Sequence, residues 1–209
     1  MADRHPTDFA GGNGIIQTAV KTKKPRKQAI SGRFWAGRTY RGRIKDDHKI
    51  DVGCGGGQTL YRLAESYPET TLAGIDYSDV SVELSRETNE RFISVGRTSI
   101  QKASVDELPF NDDVFDKVIT VESFYFWPDH DKGLKEILRV LKPGGKLLII
   151  CEVYGDAPLS PRERENIQKY TMFNPTRAEY RELMKRNGFR EVDIHVRENE
   201  KCICVIGTK

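Results

Sequence analysis

The chain has 209 residues, enough for one fully cored domain and too few for two of ordinary size. Its mean hydropathy is −0.59. No apolar run approaches the roughly 20 residues of a membrane-spanning helix, and the N-terminus has no apolar leader, so a protein of the cytoplasm with no membrane contact is expected.

The net charge of +3 is unevenly spread. Residues 1–50 carry 12 Lys/Arg against 4 Asp/Glu, and residues 51–209 carry 22 against 27. A basic arm on an acidic body admits a nucleic-acid partner. A solvated tail is the plainer reading, since base-stacking aromatics are missing from most of the arm. Cys54, Cys151, Cys202 and Cys204 fit neither a redox C-x-x-C pair nor a zinc site, so packed, reduced thiols are expected, with no metal.

In chain order, residues 1–29 hold Gly11-Gly12-Asn13-Gly14 and a basic run with Pro25 inside it, and residues 31–47 are Arg-rich without a period of either kind. The arm, or a shortened lid, is therefore assigned 1–47, and one folded domain 48–209. From there short apolar runs alternate with helix-period stretches, the mark of βαβ units. A strand over 48–52 enters a Gly-rich turn and a helix over 58–66. A second strand, 71–75, leads through Asp76 and an N-cap at Ser78 to a helix over 79–94. Strands follow at 99–103 and 115–121, then a helix over 131–141 that stops at Lys142-Pro143-Gly144-Gly145. A strand over 146–151, a helix over 176–187 and strands over 191–196 and 202–207 complete the pattern, the last two close enough for an antiparallel hairpin at the sheet edge. The fold class is α/β: a doubly wound, Rossmann-like, mostly parallel sheet.

The first strand reads poorly. A central parallel strand is normally a continuous apolar run, whereas Asp46-Asp47-His48-Lys49-Ile50 is mostly charged and Lys49 occupies an expected aliphatic position. Such a conflict predicts strain or reduced stability. His48 is expected at the surface.

Asp51-Val52-Gly53-Cys54-Gly55-Gly56-Gly57 carries the main chemical signal. Glycines let a ligand approach the main chain, and the following helix N-terminus offers free N–H groups. Gln58 breaks the dinucleotide G-x-G-x-x-G spacing, and no Gly-Lys-Ser/Thr follows for a phosphate loop. Asp51 would repel a pyrophosphate and suits an ammonium or sulfonium. Asp76, at the end of the neighbouring strand, stands where a carboxylate can accept ribose hydroxyls, and Tyr77 can cover a base. The aromatic run Phe124-Tyr125-Phe126-Trp127 either walls a cation site or packs in the core.

These segments, with Gly74-Ile75-Asp76-Tyr77-Ser78, Leu108-Pro109-Phe110 before Phe115-Asp116, and Leu138-Arg139-Val140-Leu141-Lys142-Pro143-Gly144-Gly145-Lys146, occur in an order and spacing that resemble the class I S-adenosylmethionine-dependent methyltransferases of the small-molecule type. The resemblance covers about residues 48–209. It implies S-adenosylmethionine as cofactor, S-adenosylhomocysteine as product and a small-molecule methyl acceptor. It implies Asp51, Gly53, Gly55 and Gly57 around the methionine part, Asp76 and Tyr77 around the nucleoside, and Glu122 at the edge of the cofactor site. Before Leu-Pro-Phe, where the family often has an acid for the adenine amine, Ser104 stands, with Val105 offering its backbone N–H and Asp106 out of register. Glu122, Tyr125 and Glu152 are the candidates for catalysis by position. Two other readings stay open: an RNA-directed methyltransferase guided by the basic arm, and a catalytically weak, methyltransferase-like binding protein. The acceptor atom and the oligomeric state are not legible.

Overall fold

The computed structural model describes residues 47–197 and 202–209. The basic arm and shortened lid expected over 1–47 lie, but for Asp47, outside the described residues, as does most of the link between the last two strands. Among the described residues seven strands form one sheet: β1 (His48–Val52), β2 (Thr71–Asp76), β3 (Thr98–Lys102), β4 (Phe115–Val121), β5 (Leu141–Cys151), β6 (Glu191–Arg197) and β7 (Cys202–Thr208). Their order is β3-β2-β1-β4-β5-β7-β6. The first five run parallel, and β7 pairs antiparallel with both β5 and β6. The expected doubly wound sheet and its closing hairpin are both present, with β6 at the edge.

Helices α1 (Gln58–Ser66) and α2 (Asp79–Ile93) pack on one face through Leu60, Ala64, Val82 and Phe92. On the other face α3 (His130–Val140) and α5 (Arg177–Arg186) bury Leu134, Ile137, Tyr180 and Met184 against β1, β4 and β5. Period-2 alternation along β1 sends Ile50 and Val52 to this second core and leaves Lys49 and Asp51 on the α1/α2 face. Among the described residues no helix is long and apolar enough to cross a membrane. All four cysteines are buried, and none is in a disulfide.

Three sequence expectations change. The turn expected at Lys142–Gly145 lies inside β5: Leu141 already pairs with Phe115, and the ladder resumes at Lys146 opposite Lys117. Four residues thus face one across the bulge, with Gly144 at φ 78°. The strand over 98–102 sits one residue earlier than expected. A further helix, α4 (Pro161–Lys169), was not expected. It buries no residue, so it has no apolar stripe to reveal it, yet Ser160 and Glu163 form a reciprocal capping box at its start. The excursion that contains α4 is closed at its base by Gly155 N–H donating to Pro175 C=O (2.8 Å) and by the Asp156–Arg177 ion pair.

The conflict at Lys49 is resolved by partners. Lys49 is 3% exposed. Its ammonium donates to Thr70 Oγ1 (3.0 Å), lies 3.4 Å from Asp47 Oδ2 and sits 5.3 Å above the Tyr67 ring. Lys117 pairs with the same Asp47 carboxylate. One carboxylate therefore compensates two buried ammonium groups. His48 is exposed at its side chain, and its backbone N–H donates to Asp116 Oδ2 (2.9 Å).

The asymmetry of this cluster sets an expected order of stabilities. Asp47→Asn, which leaves two buried cations facing each other, costs about 3 kcal/mol in urea unfolding. Lys49→Met, which leaves Asp47 paired with Lys117, stays within about 1 kcal/mol of the parent. Burial outweighs the attraction of Asp47 and holds the Lys49 ammonium below its ordinary range. The unfolded chain then binds more protons between the folded pKa and the ordinary value, so parent stability rises with pH across that interval. Unfolding midpoints measured up to pH 10 show the rise in the parent and not in Lys49→Met.

Candidate active site

In an open α/β sheet the ligand crevice lies beyond the strand C-termini, where the strand order reverses. Here that point falls between β1 and β4. The Gly loop leaves β1 there. Its main chain is fixed by β2: Gly53 and Cys54 N–H both donate to Ile75 C=O (2.9 Å each), and Gly55 N–H donates to Asp76 Oδ2 (2.9 Å). Asp76 Oδ1 accepts Ser78 N–H (3.0 Å) at the start of α2. Gly53, Gly55 and Gly57 have φ of 73°, 53° and 77°, the left-handed region that costs other residues about 1–2 kcal/mol.

The three glycines differ in what surrounds them. A Cβ on Gly53 would lie 2.4 Å from Ser123 Oγ, and one on Gly57 would lie 2.4 Å from Asn89 Nδ2 and 2.5 Å from Ser85 Oγ. A Cβ on Gly55 would meet nothing within 4 Å. Gly53 and Gly57 are therefore required by packing, while Gly55 leaves its main chain open. Asp51 is 2% exposed at the end of β1, and Asp76 is 8% exposed. Tyr77 is 55% exposed beside Asp76; partial burial, then the neighbouring carboxylate, raise its phenol above the ordinary range. Burial, reinforced by Asp51, pushes the Cys54 thiol up to about 12, so it supplies no thiolate.

Beyond β3, Ser104 opens a tight turn. It is bridged to Glu107, its hydroxyl donates to the Asp106 carboxylate, and Val105 is buried. Beyond β4, Glu122 has φ 57°, a strained value for a residue with a Cβ. Its Oε2 accepts the Tyr125 hydroxyl (3.0 Å) and its Oε1 accepts Glu152 N–H (2.8 Å). The Tyr125 oxygen in turn accepts N–H from Glu152 (2.9 Å) and Val153 (3.1 Å). Burial foremost, with Cys151 and Glu122 adding to it, raises the Tyr125 phenol well above its ordinary range. Tyr125 is thus a clamp between the ends of β4 and β5. The Glu152 side chain is exposed, so only its backbone joins the cluster. Of the aromatic run, Phe124, Tyr125 and Trp127 pack in the core and only Phe126, 44% exposed, faces outward.

The sequence reading missed three supports of the Gly loop. Ser123 Oγ donates to Val52 C=O (2.9 Å) and packs on Gly53. Asn89 Nδ2 donates to Gly57 C=O (3.0 Å), with Ser85 beside it. The available signal was a polar pair at i, i+4 on the otherwise apolar face Val82, Ser85, Asn89, Phe92 of α2. Among the described residues no group of His, Cys, Asp or Glu is arranged to hold a metal.

The sheet order, the left-handed Gly loop at its reversal point and the acid ending β2 define a Rossmann-like, doubly wound fold with its crevice at the Gly loop. Residues 50–149 match a family model described as a methyltransferase domain. The chain is 31% identical over 163 residues to the O-methyltransferase cnsE of Penicillium expansum, across 76% of this chain and 58% of that protein. It is 26% identical over 170 residues to the methyltransferase YdaC of Bacillus subtilis, across 80% and 86% of the two. A solved S-adenosylmethionine-dependent methyltransferase from Aquifex aeolicus superposes with a TM-score of 0.71 at 20% identity, covering 92% of this chain and 97% of that one. The chain is thus similar, in sequence over residues 50–149 and in fold, to S-adenosylmethionine-dependent methyltransferases. It spans about three-fifths of the length of the fungal O-methyltransferases it matches.

Two substitutions separate the supports. Gly53→Ala, which meets Ser123 as well as an unfavourable φ, costs about 3 kcal/mol in thermal or urea unfolding, and Gly55→Ala, which meets φ strain alone, costs about 1 kcal/mol. Tyr125→Phe keeps the ring but leaves two amides and Glu122 without the hydroxyl, and costs about 2 kcal/mol by the same measurement.

Proposed function

We propose that this chain transfers a methyl group from S-adenosylmethionine to a small-molecule acceptor, and that the crevice between β1 and β4 is where it does so. The observation that carries the reading is the Asp76 carboxylate. It braces Gly55 and Ser78 with one lone pair on each oxygen, and it retains further acceptor capacity at the mouth of the crevice for ribose hydroxyls. The residues fit the cofactor in three further ways. Open space lies above the Gly55 main chain, Asp51 stands by the loop to receive an ammonium group, and Tyr77 offers a ring beside Asp76 for a base. Ser104 and the backbone of Val105 lie at the adjoining strand end. When bound, the cofactor supplies a methyl group activated by a sulfonium charge.

The protein's own part is alignment and exclusion of water. Glu122, fixed by Tyr125 and by the amide of Glu152, presents a carboxylate in one orientation and accepts a hydrogen bond from a hydroxyl or amine of the acceptor, drawing off its proton where the chemistry demands it. Tyr125 acts through Glu122 as a positioning residue, since its own hydroxyl is buried and fully engaged. Three fungal relatives are O-methyltransferases by name, and others are named for a hydroquinone and a sterol, which supports a small acceptor.

Calorimetry with S-adenosylmethionine and S-adenosylhomocysteine tests the crevice. The parent is expected to bind at about micromolar Kd. Asp76→Ala is expected to bind at least about 100-fold more weakly, the worth of two charge-assisted hydrogen bonds. Gly55→Ala is expected to lose affinity out of proportion to its small loss of stability. A folded parent that binds neither compound, or an Asp76→Ala variant of undiminished affinity, overturns the reading.

A further inference from the structure

We propose that β6 is a self-association edge: two copies of this chain pair antiparallel along Glu191–Arg197, about a twofold axis at Ile194, and their sheets join into one. The pairing is independent of what the crevice binds.

The edge itself comes first. β6 ends the sheet order, and among the described residues its one strand partner is β7, with which it keeps an unbroken register from Glu191 to Arg197. A strand edge carries backbone donors and acceptors ready for another strand, and proteins blunt such edges with proline, lysine, a bulge or a very short strand. β6 has seven residues, Glu-Val-Asp-Ile-His-Val-Arg, and none of these devices. Arg181 of α5 donates to Val192 C=O (2.6 Å), and a carbonyl has a second lone pair to offer.

The side chains decide the occupant. Read backwards, the strand keeps its apolar positions and exchanges its acids for bases. Opposed residues of an antiparallel pair share a face, with Cβ atoms about 4.5–5.5 Å apart. With the axis at Ile194, Glu191 meets Arg197 of the second copy and Asp193 meets its His195, and each pair occurs twice. An imidazole N–H can meet the carboxylate in either protonation state. On the other face Val192 meets Val196, and Ile194 meets itself. These three side chains already pack on the core that α5 covers, so their pairing carries that core across the axis. Neighbouring registers are worse. An axis at Asp193 sets that acid against itself and leaves Arg197 without a strand residue opposite; an axis at His195 does the same to Glu191. β3, at the far edge of the sheet, has no such match: about Ile100, Lys102 would face Thr98 and Gln101 would face Ser99. β6 runs parallel to β5, since each is antiparallel to β7. Pairing β6 with an antiparallel copy therefore sends the two crevices to opposite ends of the joined sheet and covers neither.

The test is sedimentation velocity on the full chain from about 1 µM to about 1 mM. A strand edge buries less than a standard interface, so a monomer–dimer equilibrium with Kd of about 10 µM is expected. Glu191→Arg and Arg197→Glu each set like charges opposite one another twice, and each is expected to weaken self-association by about 10-fold or more. Mixed in equal amounts, the two variants regain opposite charges at both pairs and are expected to form a heterodimer of about parental affinity. The double variant is expected to self-associate like the parent. Ile194→Cys is expected to give an interchain disulfide under mild oxidation, because the axis brings that position against itself; Glu191→Cys, at opposite ends of the pairing, is not. Unfolding midpoints check that each variant is folded. A parent that stays monomeric at about 1 mM, a dimer indifferent to both charge reversals, or a mixture of the two variants that fails to associate overturns the proposal.

Discussion

Three consecutive amides hold this molecule's chemistry in place. The N–H groups of Gly53, Cys54 and Gly55 all turn back onto the end of β2, two onto the Ile75 carbonyl and one onto the Asp76 carboxylate. Backbone donors at the end of a buried strand must find partners. By finding them on the neighbouring strand, they bend the chain away from the sheet at the one place where its order reverses. The left-handed glycine conformations, the packing of Ser123 on Gly53 and the contact of Asn89 with Gly57 all follow from that bend. Asp76 is then shared between two tasks, one structural and one proposed for the ligand, and the same hydrogen bonds that brace the loop fix the direction in which its remaining lone pairs point.

A second constraint works on the other side of the crevice. Glu122 holds a backbone conformation that a side chain normally avoids, and it does so because Tyr125 and the Glu152 amide secure both of its oxygens. Strain of this kind persists only where surrounding contacts over-determine it. A buried phenol with its oxygen in three hydrogen bonds is poorly suited to move protons and well suited to hold a carboxylate still. The division between a residue that presents charge and one that orients it is thus visible in burial alone.

Much of this was legible in the sequence, for reasons that differ by element. The strands and long helices announce themselves because each must bury one side, and burial leaves a period. The Gly loop and Asp76 were legible because few other arrangements need those residue types at the ends of adjacent strands. Lys49 misled because only part of its compensation is local: Asp47 stands two positions before it, but the hydroxyl that accepts its hydrogen bond, Thr70, lies 21 positions away. Composition along one strand cannot show it. Tyr125 was read among the possible acids and bases, yet its role depends on an amide 27 positions on. At Ser104 the turn folds Asp106 back onto the hydroxyl, a contact that spacing along the chain does not show. α4 escaped for the opposite reason: it buries nothing, so it has no period, and only its capping box spoke for it.

That last helix has a wider consequence. An excursion sealed at its base between Gly155 and Pro175, whose helix contributes nothing to the core, can change in length and composition at little thermodynamic cost, because loop-closure entropy grows only slowly with length. Gly53 and Gly57 of the loop, and the clamp at Glu122, tolerate far less change. The molecule therefore separates a frozen part, which carries the proposed site, from a free part at the crevice end of β5, which evolution or design can rewrite without renegotiating the fold.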